Sequence, residues 1–303
     1  MKLATVLLAG VPRVGAVESE TIRLLPEAAG DMVTLIGKGH AAIVALLSEP
    51  SVVAMPLAGV TLAAPIQRFT RDVLCTGWNY WAHFEESKGK REGQDVDKPN
   101  APTFFTKAPN TVIGPNDDIG LDPHISAKWD YEAEVAIVIG KRCRSVSQAK
   151  ALDHVFGYFL ANDVSQRDLQ RRHGGQWLKG KSIDKTMPMG PWIVTPDELD
   201  VPEIRLQLTL NGEEMQNALV KQMAFPIAEL IAELSFGMTL EVGDVIITGT
   251  PQGIGNAREP AVFLKPGDEM VISATGLGEL RNRVVAADLH GSTDITSMSQ
   301  PAA

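Results

Sequence analysis

Glu132 and Glu134 are separated by one residue and open the apolar run Val135–Ile139, which stops at Gly140. The run is rich in β-branched residues and closes on a glycine, so it reads as a strand. A strand sends residues i and i+2 to one face, so the two carboxylates point the same way. Anions held side by side repel unless a cation or a proton lies between them. A third carboxylate, Asp163, stands where a second hydrophobic segment, Gly157–Asn162, ends. Three converging oxygen donors suit a hard divalent ion, Mg²⁺ or Mn²⁺. The same residues also fit a plainer arrangement. Glu-x-Glu lines many solvated strand edges, and Asp163 could cap the segment after it. The strand is too apolar for an exposed edge, which favours the metal.

A candidate base lies upstream. His83 and Glu86 sit three residues apart, so a helix over this stretch places them on one face. A carboxylate beside an imidazole fixes its tautomer and raises its basicity, as a general base for water requires. A lone histidine on a helix is also commonly structural. Glu85, at i+2, points away from His83.

The elements that must position these groups fall into three textures. Residues 1–68 hold short strand candidates and a small helix near His40–Leu47, punctuated by Pro56 and Pro65, as in a small β-rich N-terminal module. Residues 69–288 alternate apolar strands with Gly, Pro, Asn and Asp turns, the pattern of a mainly β domain with some α. Helices are expected at Ala82–Lys88, Ser147–Asp153 and Pro226–Phe236. Residues 289–303 form a loose C-terminal tail, rich from Gly291 onward in Ser, Thr and Ala.

Several ordered words carry a resemblance: Gly157–Gln170, Gly180–Asp184, Pro188–Trp192, Thr248–Gly255, Leu264–Asp268 and Leu280–Val284. Together, over about Asp72 to Asp288, the chain resembles the fumarylacetoacetate hydrolase family. That resemblance implies the mixed β-sheet roll of these enzymes, usually paired as a homodimer. It places a His/Glu pair matching His83 and Glu86 on a lid over the metal. It matches Lys181 to a lysine that polarises the substrate carbonyl, although most lysines are solvated surface residues. Arg167 and Gln170 match positions that line the substrate or hold the site together, and Arg167 fits a structural ion pair equally well. Thr250 lies in a Gly-rich turn whose N–H groups and hydroxyl could receive a carboxylate, or which merely connects strands. Lys107 matches a lysine before the family's Gly-Pro turn, with a secondary role. Where the largest family members carry a fourth acidic ligand, this chain has Asn79-Tyr80, which implies a three-carboxylate site.

Composition agrees with an ordinary globular enzyme of 303 residues, 44% hydrophobic and 21% charged. A net charge of −9 argues against a nucleic-acid partner. The cluster Lys88–Arg91 reads as a solvated loop. Cys75 and Cys143, each in apolar sequence, read as small buried residues and place the chain in a reducing cytoplasm. The N-terminus lacks the core of a signal peptide, and no stretch approaches the roughly 20 apolar residues of a membrane span.

The expected reaction is cleavage of the C–C bond of a 2,4-dioxo acid of the acylpyruvate or fumarylpyruvate type. The ion would stabilise enolate charge at the C2 oxygen, and His83 with Glu86 would activate the attacking water. No Gly-x-Ser-x-Gly elbow suggests a covalent nucleophile. Oxaloacetate decarboxylation and isomerisation of an unsaturated 2-hydroxy diacid would use the same enolate chemistry. A non-catalytic metal-binding protein is the remaining alternative.

Overall fold

The structure, a computed structural model, describes residues 1–90 and 96–291. In the strand Ala133–Ile139, Val135, Ile137 and Ile139 enter one hydrophobic cluster, while Ala136 and Val138 enter another. A strand buried on both faces reads as an unbroken apolar run, as this one does. It pairs antiparallel with Val155–Asn162 on one side and Val245–Ile247 on the other.

From this centre the sheet grows to twelve strands among the described residues. Beyond Val155–Asn162 come Met187–Val194, then Lys2–Leu8, Val11–Glu18, Thr21–Leu24 and Val53–Pro56. Beyond Val245–Ile247 come Val73–Gly77, joined in parallel, and Thr103–Lys107. The N-terminal strands thus continue the central sheet: Leu3 pairs with Ile193 and is fully buried.

A second sheet of five strands packs against the first, in the order Glu213–Leu219, Arg205–Leu210, Glu269–Ala274, Gly278–Ala286 and Ile119–Leu121. Its alternation is visible in Arg205–Leu210, where Leu206, Leu208 and Leu210 are buried and the residues between them are not. Those leucines share a cluster with Val135 and Ile137, so the main core lies between the two sheets. The protein is therefore sheet-dominated with some helix.

The opposite face of the large sheet is covered by two short helices, Met32–Lys38 and His40–Leu47, whose Leu35, Ile36 and Ile43 pack towards Ala136 and Val138. Asp31 caps the first by accepting the Thr34 N–H at 2.8 Å. The sequence analysis anticipates the second helix and passes over the first. The other expected helices form within a few residues of their expected ends. Ala82–Lys88 becomes Trp81–Glu86, and Pro226–Phe236 becomes Ile227–Ser235. Ser147–Asp153 becomes a single turn, Gln148–Ala151, followed by the 3₁₀ turn Leu152–His154. Both cysteines are buried free thiols. No helix among the described residues is long and apolar enough to cross a membrane. Arg91 of the basic cluster, and the expected tail beyond Gly291, lie outside the described residues.

Candidate active site

Strand register brings the carboxylates together. Ala133 is opposite Asn162 and Glu134 opposite Ala161, so Glu132 and Asp163 face each other one step beyond the paired ends. Two bonds fix that step: the Asp163 N–H donates to the Glu132 carbonyl at 2.9 Å, and the Glu132 N–H donates to Asn162 Oδ1 at 3.1 Å. Glu132, Glu134 and Asp163 are all buried, and one oxygen of each lies within 4.8 Å of the others.

Cations already press on two of these groups. The Lys181 ammonium is 2.6 Å from both Glu132 Oε2 and Asp163 Oδ2. Arg167 is 2.7 Å from Glu132 Oε1, and Lys107 donates to Asp163 Oδ1 and the Val164 carbonyl at 2.8 Å each. Burial raises the Glu132 carboxyl, but Lys181 and Arg167 outweigh it and hold the group below the usual carboxylate range. Glu134 behaves oppositely. Burial, then the charges of Asp163 and Glu132, push it well above its ordinary value, and the Gly249 N–H donates to it at 2.5 Å. A divalent cation suits such a trio: hard oxygens converge, and the mutual repulsion at Glu134 would be relieved. The donor set therefore fits Mg²⁺ or Mn²⁺.

Lys181 reaches this point because its helix, Leu178–Lys181, lies almost in contact with Arg167–Arg172. A Cβ on Gly180 would come within 2.1 Å of the Gln170 nitrogen, so this crossing needs glycine. Burial lowers the Lys181 ammonium, but Asp163 and Glu132 more than compensate and hold it raised. Lys107 is pushed down by burial.

His83 is buried on the helix Trp81–Glu86, with Nδ1 2.9 Å from Glu86 Oε1. Glu86 Oε2 in turn accepts the Gly253 N–H at 2.8 Å. Glu85 turns outward and pairs with Lys88 at 2.6 Å. The helix is fixed at its start by Asn79, whose amide donates to the Phe225 and Thr248 carbonyls and accepts the Phe225 N–H. Its polar atoms are spent on backbone.

One small cavity, ≈ 30 Å³, is lined by His83, Glu132, Glu134, Arg167, Gln170, Lys181 and Thr250. Of the remaining expected site residues, Asp163 completes the carboxylate trio, Glu86 holds His83, and Lys107 lies behind Asp163, fully buried. The Thr250 hydroxyl donates to the Ala133 carbonyl and accepts from Gln216, which ties it to the scaffold. Arg167 bridges two acids, because Nε also donates to Asp130 Oδ2 at 2.8 Å.

Three participants escape the sequence analysis. Asp130 is fully buried and accepts the N–H groups of Gly255 and Asn256 as well as Arg167. It shares the parity of Glu132 and Glu134, and the i, i+2 argument carried one step back would have found it. Gln216, on the second sheet, bonds Ala133 and Thr250 and ties the sheets together at the site. Trp177 lies edge-on to Trp78 and Phe105, with centroids 4.9 and 5.1 Å away, and lines the cavity.

Comparison with known proteins identifies the family. Residues 72–285 match the family model described as fumarylacetoacetate (FAA) hydrolase C-terminal. The oxaloacetate tautomerase YisK of Bacillus subtilis (strain 168) is 42% identical over 229 residues, which cover 75% of this chain and 74% of that protein. The human mitochondrial oxaloacetate tautomerase FAHD2A is 41% identical over 233 residues, 76% of this chain and 71% of that one. Among solved structures, the fumarylacetoacetate hydrolase of Exiguobacterium antarcticum superposes with a TM-score of 0.80 at 37% identity, covering 95% of this chain and all of that one. This chain is an enzyme of the fumarylacetoacetate hydrolase family.

Proposed function

We propose that the enzyme moves a proton at the carbon next to the keto group of a small 2-oxo diacid, interconverting keto and enol forms of an oxaloacetate-class substrate. The observation that carries this reading is the placement of His83, its tautomer set by Glu86, on the same cavity as Glu132, Glu134 and Lys181. With Glu86 accepting from Nδ1, Nε2 is left as the basic nitrogen. It takes the C3 proton and returns it to the C2 oxygen. The Lys181 ammonium faces the negative charge that gathers on that oxygen. Arg167 and Asp130 keep Glu132 in place. A divalent ion held by Glu132, Glu134 and Asp163 would supply Lewis-acid stabilisation of the same charge. Two relatives over 40% identical are named oxaloacetate tautomerases, which supports the choice of substrate class.

Hydrolytic cleavage of a 2,4-dioxo acid is the second reading. It is favoured by the same His83–Glu86 pair, which is equally suited to activating water, beside a cavity large enough to hold one. The deciding experiment gives the protein, with Mg²⁺ or Mn²⁺, a panel of enol-oxaloacetate, acylpyruvates and fumarylpyruvate. Loss of enol absorbance with oxaloacetate as the sole product supports tautomerisation. Pyruvate with a carboxylic acid supports hydrolysis, and pyruvate with CO₂ supports decarboxylation. No acceleration of enol loss from oxaloacetate would reject the first reading.

A further inference from the structure

A second group of metal-ligating side chains lies on the other sheet. Asp122 follows the strand Ile119–Leu121 and is fully buried. Its carboxylate is aimed by three backbone donors: Oδ1 accepts the His124 N–H at 2.8 Å, and Oδ2 accepts those of Leu289 and His290 at 2.8 and 3.0 Å. Two imidazoles approach the same carboxylate through Nδ1, His124 at 3.1 Å from Oδ1 and His290 at 2.8 Å from Oδ2. The rings face each other with centroids 4.2 Å apart and planes tilted by 31°. His290 Nδ1 is also 3.2 Å from Asp288 Oδ1.

Pinning the segment that carries Leu289 and His290 does not need this arrangement. The backbone donors already give both oxygens of Asp122 a partner, and the Ala287 N–H bonds the Leu121 carbonyl besides. Two imidazoles turned inward by the same nitrogen exceed what a cap requires. They are what a metal requires. Zinc bonds His nitrogen and carboxylate oxygen at about 2.0–2.2 Å, so neighbouring ligands in a tetrahedron stand about 3.4 Å apart. The N···O separations here, 2.8 to 3.2 Å, need to open by only a few tenths of an ångström. The backbone N–H groups hold Asp122 as outer hydrogen bonds commonly hold a ligating carboxylate.

We propose that Asp122, His124 and His290, whose ligand atoms lie within 4.8 Å of one another, form a site for a zinc-class ion. Two imidazoles among three ligands favour Zn²⁺, Co²⁺, Ni²⁺ or Cu²⁺, unlike the all-oxygen set of Glu132, Glu134 and Asp163. Its effect would be to clamp the segment after the strand Gly278–Ala286 onto the loop at Asp122. The site shares no residue with the candidate active site and stands whether or not the proposed reaction is right.

The test uses the full chain, stripped by chelator, reloaded with excess Mg²⁺ to fill the carboxylate centre, and titrated with Co²⁺. Tetrahedral Co²⁺ with nitrogen ligands absorbs visible light far more strongly than octahedral Co²⁺ among oxygens. The expected result is one equivalent of intensely absorbing Co²⁺, displaced by Zn²⁺, with a melting temperature raised by Zn²⁺. The double variant His124→Ala/His290→Ala should lose both effects while its unfolding stays cooperative. The single variant His290→Asn, which keeps the backbone contacts to Asp122, should bind Co²⁺ at least as weakly as sites that lose an outer hydrogen bond, roughly 10–100-fold. No intense band in the wild type, or an undiminished band in both variants, would overturn the proposal. So would loss of the band in Glu134→Gln, since the ion would then belong to the carboxylate centre.

Discussion

His83 and Asp130 sit at opposite ends of one chain of contacts, and their substitutions should separate chemistry from scaffold. His83→Ala removes the proposed base while leaving Glu132, Glu134 and Asp163 in place. Turnover should fall roughly 10²–10⁴-fold, while Mn²⁺ binding, measured by calorimetry, stays within a factor of a few. Loss of Mn²⁺ would instead make His83 a ligand. Asp130 acts at one remove, through Arg167 and the Gly255–Asn256 backbone. Asp130→Ala takes away one of the two acids that the Arg167 guanidinium bridges, and breaking a buried pair in this way costs about 3–5 kcal/mol. Denaturant unfolding should register that loss. Asp130→Glu, which keeps the charge, should recover part of it. At this scale the sequence was legible where spacing alone placed a group: Glu132, Glu134 and the His83–Glu86 pair. Gln216 had no such signal, because its partners Ala133 and Thr250 are 83 and 34 residues away.

At the level of elements, the end of the helix Trp81–Glu86 is tied to the loop at Gly253 through the N–H that Glu86 accepts. Gly253 has φ +105°, and a Cβ there would come within 2.0 Å of the Met215 carbonyl oxygen. Gly253→Ala must therefore shift the loop and with it the N–H that Glu86 accepts. Hydrogen exchange across residues 81–86 should accelerate, and turnover should drop without loss of global stability as large as that of Asp130→Ala. Unchanged exchange in this helix would show that its contacts with the Asn79 turn suffice. The strand Ala133–Ile139 could be read from composition because burial on both faces left no polar residue in it after Glu134. The helix Met32–Lys38 could not, since only seven residues and a cap at Asp31 distinguish it from the strands around it.

Across the whole molecule, the N-terminal strands and the carboxylate-bearing strands share one sheet, joined where Lys2–Leu8 meets Met187–Val194. Such pairing between residues nearly two hundred positions apart leaves no local trace, so the sequence suggested a module where the structure has a continuation. Leu3→Ala should cost about 2–5 kcal/mol, as buried Leu→Ala changes do. Fluorescence of the buried Trp129 in the catalytic region should report the same midpoint as far-ultraviolet circular dichroism. Two separated transitions would mean the N-terminal strands melt alone.

Trp177 rests on Gly77 so closely that a Cβ there would come within 2.4 Å of the indole, and the space beneath is only ≈ 30 Å³. With the adjoining cavity of ≈ 40 Å³, which the indole also lines, the space suits a few waters rather than the proposed diacid. On the proposed reaction each turnover would begin and end with the indole leaving its seat, and such motions limit the rate of many enzymes. Deuterium at the transferred C3 position should consequently slow the native enzyme very little, because the hydrogen transfer hides behind the opening step. In Trp177→Ala, where nothing has to open, the isotope effect should emerge in full.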